Sequence, residues 1–336
     1  MKISLIVVIS VIAFVLAIAI GSMYVPPIVI VRIILFNTFR IGDINDIDPR
    51  FISVIWTGRL PRALVAFVVG AMLSVSGAIM QSVLRNPLAS SFTLGVSAGA
   101  SLGASFVIFF SITIFANFAL PALGFIFSMA TIAVVLALTS KISHSMENSI
   151  IVLVGMVVSL FINAIVTLLM SLNRESMQTL VFWQMGSFST RRWDTFYILF
   201  WIALVFILVA YTRSKTMDIL SFGEETAQTM GVNVSLEKWL LLGIAALLTG
   251  SAIAFTGIIG FIDLVAPHIV RRVFGSRHRL VIPLSALFGG IFMVICDLIA
   301  RTILAPTELP IGVVTALIGA PFFAYIYISK RKRVGL

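Results

Sequence analysis

Residues 58–83 read GRLPRALVAFVVGAMLSVSGAIMQSV. Two arginines bracket a proline, and an uncharged run of small and apolar residues follows. Such a run supplies the roughly 20 residues that a helix needs to cross a hydrocarbon core about 30 Å thick. It lacks the period-2 alternation of a barrel strand. Backbone polar groups in lipid must bond within the chain, so the run is read as a spanning helix. Pro61 falls in the first turn, where a missing N–H leaves no bond unmade. Arg59 and Arg62 stand at the mouth of this helix, and their position there needs a reason.

The rest of the chain repeats the pattern. Its 336 residues are 60% hydrophobic and 11% charged, against about 25% charged residues in soluble domains. Apolar blocks predict ten spans, near 4–25, 60–83, 92–113, 119–140, 149–171, 192–211, 239–257, 260–274, 281–301 and 311–329. The fold class is therefore all-α, a polytopic membrane protein of about ten transmembrane helices, with residues 1–336 forming a single transmembrane domain. The first run resembles a signal peptide. Its apolar part is too long and no A-x-A site follows, so it reads as a retained span.

An even number of spans puts both termini on one side. The tail Lys330, Arg331, Lys332, Arg333 and the cluster RRVFGSRHR, residues 271–279, place that side in the cytoplasm. Loop placement accounts for much of the net charge of +10. No basic patch is interleaved with aromatics, which argues against nucleic acid. The single Cys296 excludes an internal disulfide and a Cys-rich metal site. Three scattered histidines give no metal-ligand spacing. No phosphate loop and no nucleophile–base cluster is present, so the chain is not read as an enzyme. Any ATP hydrolysis belongs to another chain.

Two connections exceed simple turns. Residues 26–58, with the acidic run GDINDIDPR, lie on the extracytoplasmic side; residues 212–238 lie in the cytoplasm. In the second, Asp218 is positioned to cap a helix ending at Gly231. Leu220, Thr226, Ala227 and Met230 would share one face. Such a helix is either a docking element or an interfacial helix on lipid headgroups. RNPLASS, residues 85–91, is either an ordinary turn or a constriction at the inner mouth of a pathway. Asp263 and Asp297 sit within apolar runs, where carboxylates are costly. Asp297 and Arg301 are spaced to pair on one helical face. Asp263 lies either at an extracytoplasmic turn or beside a water-filled pathway.

Small residues crowd GAMLSVSGA (70–78) and GVSAGASLGAS (95–105), and read first as close helix packing. A weak echo at an offset of 180 aligns Ala66, Gly70, Gly77, Ile79, Leu84, Pro87 and Gly95 with Ala246, Gly250, Gly257, Ile259, Leu264, Pro267 and Gly275. Five spans separate the two copies, which suggests an inverted repeat.

Taken together, RLPRALVAFVVGAMLSVSGAIMQSVLRNPLASSFTLGVSAGASLGA (59–104), FWQMGSFSTRRWD (182–194) and FGEETAQTMGVNV (222–234) resemble a known pattern. SAIAFTGIIGFIDLVAPHIVRRVFGSRHRLVIPLSALFGG (251–290) and DLIARTILAPTELPIGVVTALIGAPFF (297–323) continue it in order. The pattern is that of ABC importer permeases for iron–siderophores, haem and vitamin B12. The resemblance implies a prokaryotic cell-membrane protein with both termini cytoplasmic. It also implies an inverted relation between helices 2–5 and 7–10. The expected partners are a second permease subunit, two cytoplasmic ATPase subunits that hold ATP and Mg²⁺, and an extracytoplasmic substrate-binding protein. No cofactor is expected on this chain.

By the same resemblance Arg59, Arg62 and Arg301 meet carboxylates of the binding protein. Gly223, Glu224, Glu225, Ala227 and Gly231 contact the ATPase. Asn86 and Leu88, with Asn148 and Ser149 from a second loop, form a cytoplasmic gate. Asp263 departs from the pattern, which has glycine at that position. Ferric siderophore is the expected cargo, with haem and cobalamin as alternatives. An ion-coupled secondary transporter is the rival from another class, and would need acidic groups at mid-membrane; Asp263 and Asp297 are the candidates.

Overall fold

A computed structural model describes residues 2–21, 23, 25–112, 118–143 and 145–333. No strand occurs among the described residues. The side chains of Lys2 and of the basic tail 330–333, which bear on the topology reading, lie outside the described ones. The chain begins with α1 (Lys2–Ala19), α2 (Pro27–Phe39) and α3 (Pro49–Ser53). A π-helical turn, Val54–Arg59, leads without a break into α4 (Leu60–Val83). Next come α5 (Val96–Phe110), α6 (Ala119–Ile142), α7 (Asn148–Leu172), α8 (Arg174–Gln184) and α9 (Trp193–Thr212). Two short helices, α10 (Ser214–Ser221) and α11 (Glu224–Thr229), precede α12 (Val234–Thr256). The chain ends with α13 (Ile262–Phe274), α14 (His278–Thr302) and α15 (Ile311–Arg333).

Six of these are long and apolar enough to cross a bilayer: Pro49–Val83, Ala119–Ile142, Asn148–Leu172, Trp193–Thr212, Val234–Thr256 and His278–Thr302. The other expected spans fall on α1, α5, α13 and α15, whose apolar helical stretches are shorter. With 13 residues, α13 rises only about 20 Å, less than a hydrocarbon core.

Helix α4 occupies the middle of the molecule and packs against α9, α12, α13 and α14. Its small residues are the reason. A Cβ placed on Gly70 would lie 2.2 Å from the carbonyl oxygen of Gly289, and one on Gly77 would lie 1.8 Å from that of Asp263. The stripe at 95–105 packs α5 on α6 in the same way, with a Gly103 Cβ falling 2.3 Å from the Leu123 carbonyl oxygen. In lipid, helices gain little from hiding apolar surface, and close backbone contact supplies the association instead.

Three elements depart from the expected layout. The connection 26–58 is largely helical. Pro27 opens α2 in the first turn, and Ile30 and Ile33 bury against Ile18 and Ile55. Arg32 folds the acidic run back by pairing with Asp46 at 2.6 Å. Helix α8 begins where the Asn173 side chain accepts from the Ser176 amide at 3.1 Å. The loop 212–238 holds two helices rather than one. Gly223, at φ +125°, breaks it where a side chain would be strained. Asp218 therefore lies inside α10 and does not cap its own segment; it accepts instead from the His278 amide at the start of α14, at 2.9 Å. Gly231 ends the segment as expected, at φ +82°. The echo at offset 180 joins unlike structures: the end of continuous α4 maps onto the break between α12 and α13.

Overpacking a core costs about 1–3 kcal/mol, and a collision with backbone relaxes poorly. Gly77→Val is expected to reach the top of that range and lower the thermal midpoint in detergent. Gly58→Ala, where nothing lies within 4 Å, is expected to stay within about 0.5 kcal/mol. Size-exclusion thermostability of fluorescent fusions measures both.

Candidate functional site: two polar ends of the bundle

At the mouth of α4, opposite the Asn86 turn, the arginines turn inward. Arg59 is 7% exposed. It donates to the carbonyls of Ile18 at 3.0 Å, Ala19 at 3.1 Å and Met23 at 2.6 Å. The first two are carbonyls that the end of α1 leaves without helical partners, and Met23 lies in the connection just beyond it. Arg301 donates to the Ala17 carbonyl of the same helix end. Positive charge there also complements the helix dipole. Arg62 grips Asp297, with Nε at 3.0 and 3.1 Å and an outer nitrogen at 2.8 Å, and reaches Glu308 at 2.8 Å.

The expected Asp297–Arg301 pair is present but long, at 3.8 Å. Arg62 takes Asp297 with the forked geometry that makes such pairs strong, while Arg301 spends a donor on α1. Arg59, Arg62, Arg191, Arg192, Arg301 and Glu308 line a pocket of about 400 Å³. Burial lowers the Arg191 pKa from its ordinary value. Trp193 donates to the Trp56 carbonyl at 2.7 Å and packs its ring, tilted by 43°, against the Trp56 ring at 4.9 Å, fixing the segment FWQMGSFSTRRWD beside the arginines.

At the other end of α4, Asn86 and Leu88 share one turn. The Asn86 side chain accepts from the Leu88 amide at 2.9 Å, and Leu88 is 49% exposed. Asn148 and Ser149 open α7; the Asn148 side-chain oxygen is buried without a partner, and Ser149 is exposed. Of the residues expected to contact the ATPase, Glu225 and Gly231 are exposed, Gly223 and Glu224 are half-buried, and Ala227 is fully buried against its own chain. Phe222 at 76% and Met230 at 60% exposure stand outward on the same segment. The shared face drawn for Leu220, Thr226, Ala227 and Met230 is thus divided by the break at Gly223.

Asp263 is 1% exposed and accepts from the Ser90 hydroxyl. Gln81 donates to its backbone carbonyl at 3.3 Å. This puts it between α4 and the Asn86 turn, at the opposite end of α4 from Arg59. Four residues that the sequence reading did not single out for function join these segments. Ser82, His278 and Asp218 form one chain of contacts. Lys238, wholly buried, joins Glu224 at 2.7 Å to the Met146 carbonyl at 2.6 Å. The available signals were slight: one histidine at the head of an apolar run, and one lysine at the head of another.

Removing one partner of a buried ion pair leaves an uncompensated charge, at about 3–5 kcal/mol. Asp297→Ala, which strands Arg62 and Arg301, is expected to cost that much. Glu308→Ala, at the solvent edge, is expected to cost about 1 kcal/mol or less. Denaturant or thermal unfolding of the purified chain measures the difference.

The FecCD transport family model matches residues 8–329. The chain is 38% identical to the uncharacterized ABC transporter permease YvrB of Bacillus subtilis, covering 96% of this chain and 91% of that one. It is 34% identical to the molybdate import permease MolB of Haemophilus influenzae, covering 87% and 85%. Other relatives are named for import of cobalamin, Fe³⁺-citrate and hemin. A solved inward-facing ABC transporter assigned to the metal-chelate type superposes with a TM-score of 0.85, at 30% identity, covering 96% of this chain and 97% of that one. The chain belongs to the FecCD transport family and is an ABC importer permease, a multi-pass protein of a prokaryotic membrane.

Proposed function

We propose that the chain carries a ferric siderophore into the cytoplasm as one of two permease subunits. Two ATPase subunits, which hold ATP and Mg²⁺, drive it, and an extracytoplasmic binding protein loads it. Both termini are then cytoplasmic. Relatives named for Fe³⁺-citrate and hemin, and the neighbour of metal-chelate type, favour an iron complex. Relatives named for cobalamin and molybdate make those the alternative cargoes.

The observation that carries this reading is the segment 222–231. It exposes Phe222, Glu225 and Met230 while Ala227 and Glu224 anchor it from within. An element so fixed and so presented fits an ATPase cleft better than a loose loop. A second permease is supported by α7. Its exposed face carries Asn163, Thr167 and Ser171 among Leu160, Phe161 and Leu168. Polar groups are poorly placed toward lipid and better placed along a pathway between two subunits. For docking, the pocket over Arg59, Arg62 and Arg301 offers carboxylates of the binding protein a basic floor, with Arg192 exposed at its rim. ATP binding then acts through the segment 222–231 on the turn at Asn86 and Leu88 and the loop at Asn148 and Ser149.

Mild detergent purification from host membranes, followed by mass spectrometry, tests the assembly. An ATPase and a binding protein are expected in the preparation. The chain arriving alone under several mild conditions would overturn the reading in favour of a transporter working by itself. Once the binding protein is in hand, its capture by the complex is expected to weaken tenfold or more with Arg192→Glu, and to fall as salt rises. Capture indifferent to both would remove the docking assignment.

A further inference from the structure

Helices α10 and α11 are tied by polar bridges to the Asn86 turn and to the loop before Asn148, one bridge from each helix. From α10, Asp218 accepts from the His278 backbone amide at 2.9 Å and faces the ring Nδ1 at 2.6 Å. The other ring nitrogen, Nε2, contacts the Ser82 hydroxyl. With Nδ1–H donating to the carboxylate, Nε2 is left to accept from Ser82. Ser82 belongs to the last turn of α4, whose Gln81 carbonyl accepts from the Asn86 amide at 3.2 Å. The first bridge therefore ends at the turn of Asn86 and Leu88.

From α11, Glu224 accepts from Lys238, and the same ammonium donates to the Met146 carbonyl. Met146 lies two residues before Asn148. The second bridge therefore ends at the other gate loop. His278 is 3% and Lys238 0% exposed, while the carboxylates of Asp218 and Glu224 are 33% and 25% exposed, so each bridge is shielded from water at its inner end and reaches the surface at its outer one. Gly223, at φ +125°, separates the two anchors, so that one lies on α10 and the other on α11.

We infer that Asp218–His278–Ser82 and Glu224–Lys238–Met146 are two separate linkages through which the ATPase-docking segment moves the two gate segments. Ser82, His278 and Lys238 are positioning residues; none has to touch cargo. The inference rests on the importer reading above, because only an ATPase seated on residues 222–231 gives the linkages something to transmit. Charged and buried hydrogen bonds suit transmission, since breaking one strands a polar group and displacement on one side is followed on the other.

Hydrogen–deuterium exchange on the intact permease–ATPase complex in nanodiscs, with and without ATP and vanadate, tests this without any cargo. In the unmodified complex, amides at 84–90 and at 145–149 are expected to change on nucleotide trapping. Ser82→Ala is expected to abolish at least half of the change at 84–90 and spare 145–149. Lys238→Met, similar in volume, is expected to do the converse. Ser82→Thr and Lys238→Arg are expected to restore each response. A merely destabilised bundle would lose both responses together, and that result, or both variants behaving as the unmodified complex does, overturns the linkages. Absence of any nucleotide response in the unmodified complex overturns the importer reading itself.

Discussion

The molecule depends on what is missing from one face of α4. Lipid gives helices little incentive to associate, because a leucine is as well solvated by acyl chains as by another leucine. Contact must come from shape. At Gly70 and Gly77 the backbone of α4 meets carbonyls of Gly289 and Asp263 at distances that leave no room for a methyl group. This closeness brings α13 and α14 onto α4, and so brings Arg62 within reach of Asp297 and Ser82 within reach of His278. The polar sites at the two ends are products of one apolar contact in the middle.

The charges follow from the same geometry. A guanidinium at the end of a bundle has several donors and little water, so it collects carbonyls and carboxylates wherever helices stop. Arg59 and Arg301 terminate α1, and Arg62 joins α4 to α14 and to Glu308. The basic pocket is therefore part of the architecture, whatever partner it is proposed to meet. A mutation of these three arginines acts on the fold first, whereas Arg192, exposed at the rim, is free of that burden.

Much of this was readable from residues alone. The run 60–83 coincides with α4, and most other long spans fall within a few residues of the expected bounds, since apolar length is a strong and local signal. Small-residue stripes announced close packing and found it. What escaped was non-local or rested on backbone conformation. Helix α2 hid in a connection because its apolar face is short and follows two prolines. Gly223 carried no sign that it would split the coupling segment. Asp297 showed a partner four residues away, yet its better partner is Arg62, 235 positions distant in sequence. The bridges through His278 and Lys238 belong to the same class, since spacing along a chain says nothing about which buried donors meet across it.

The π-helical turn at Val54–Arg59 gives this architecture a specific tolerance in evolution. Such a turn holds one residue more than an α-helix of the same span. Deleting one residue there would restore a regular helix without shortening the crossing and without turning α2 and α3 relative to α4. One residue lost from the regular helix that follows would instead rotate everything before it by about 100°. The cluster of Ile30, Ile33, Ile47 and Ile55 would then lose its seat beside α1. Single-residue deletions among relatives should therefore collect at 54–59 and avoid 60–83.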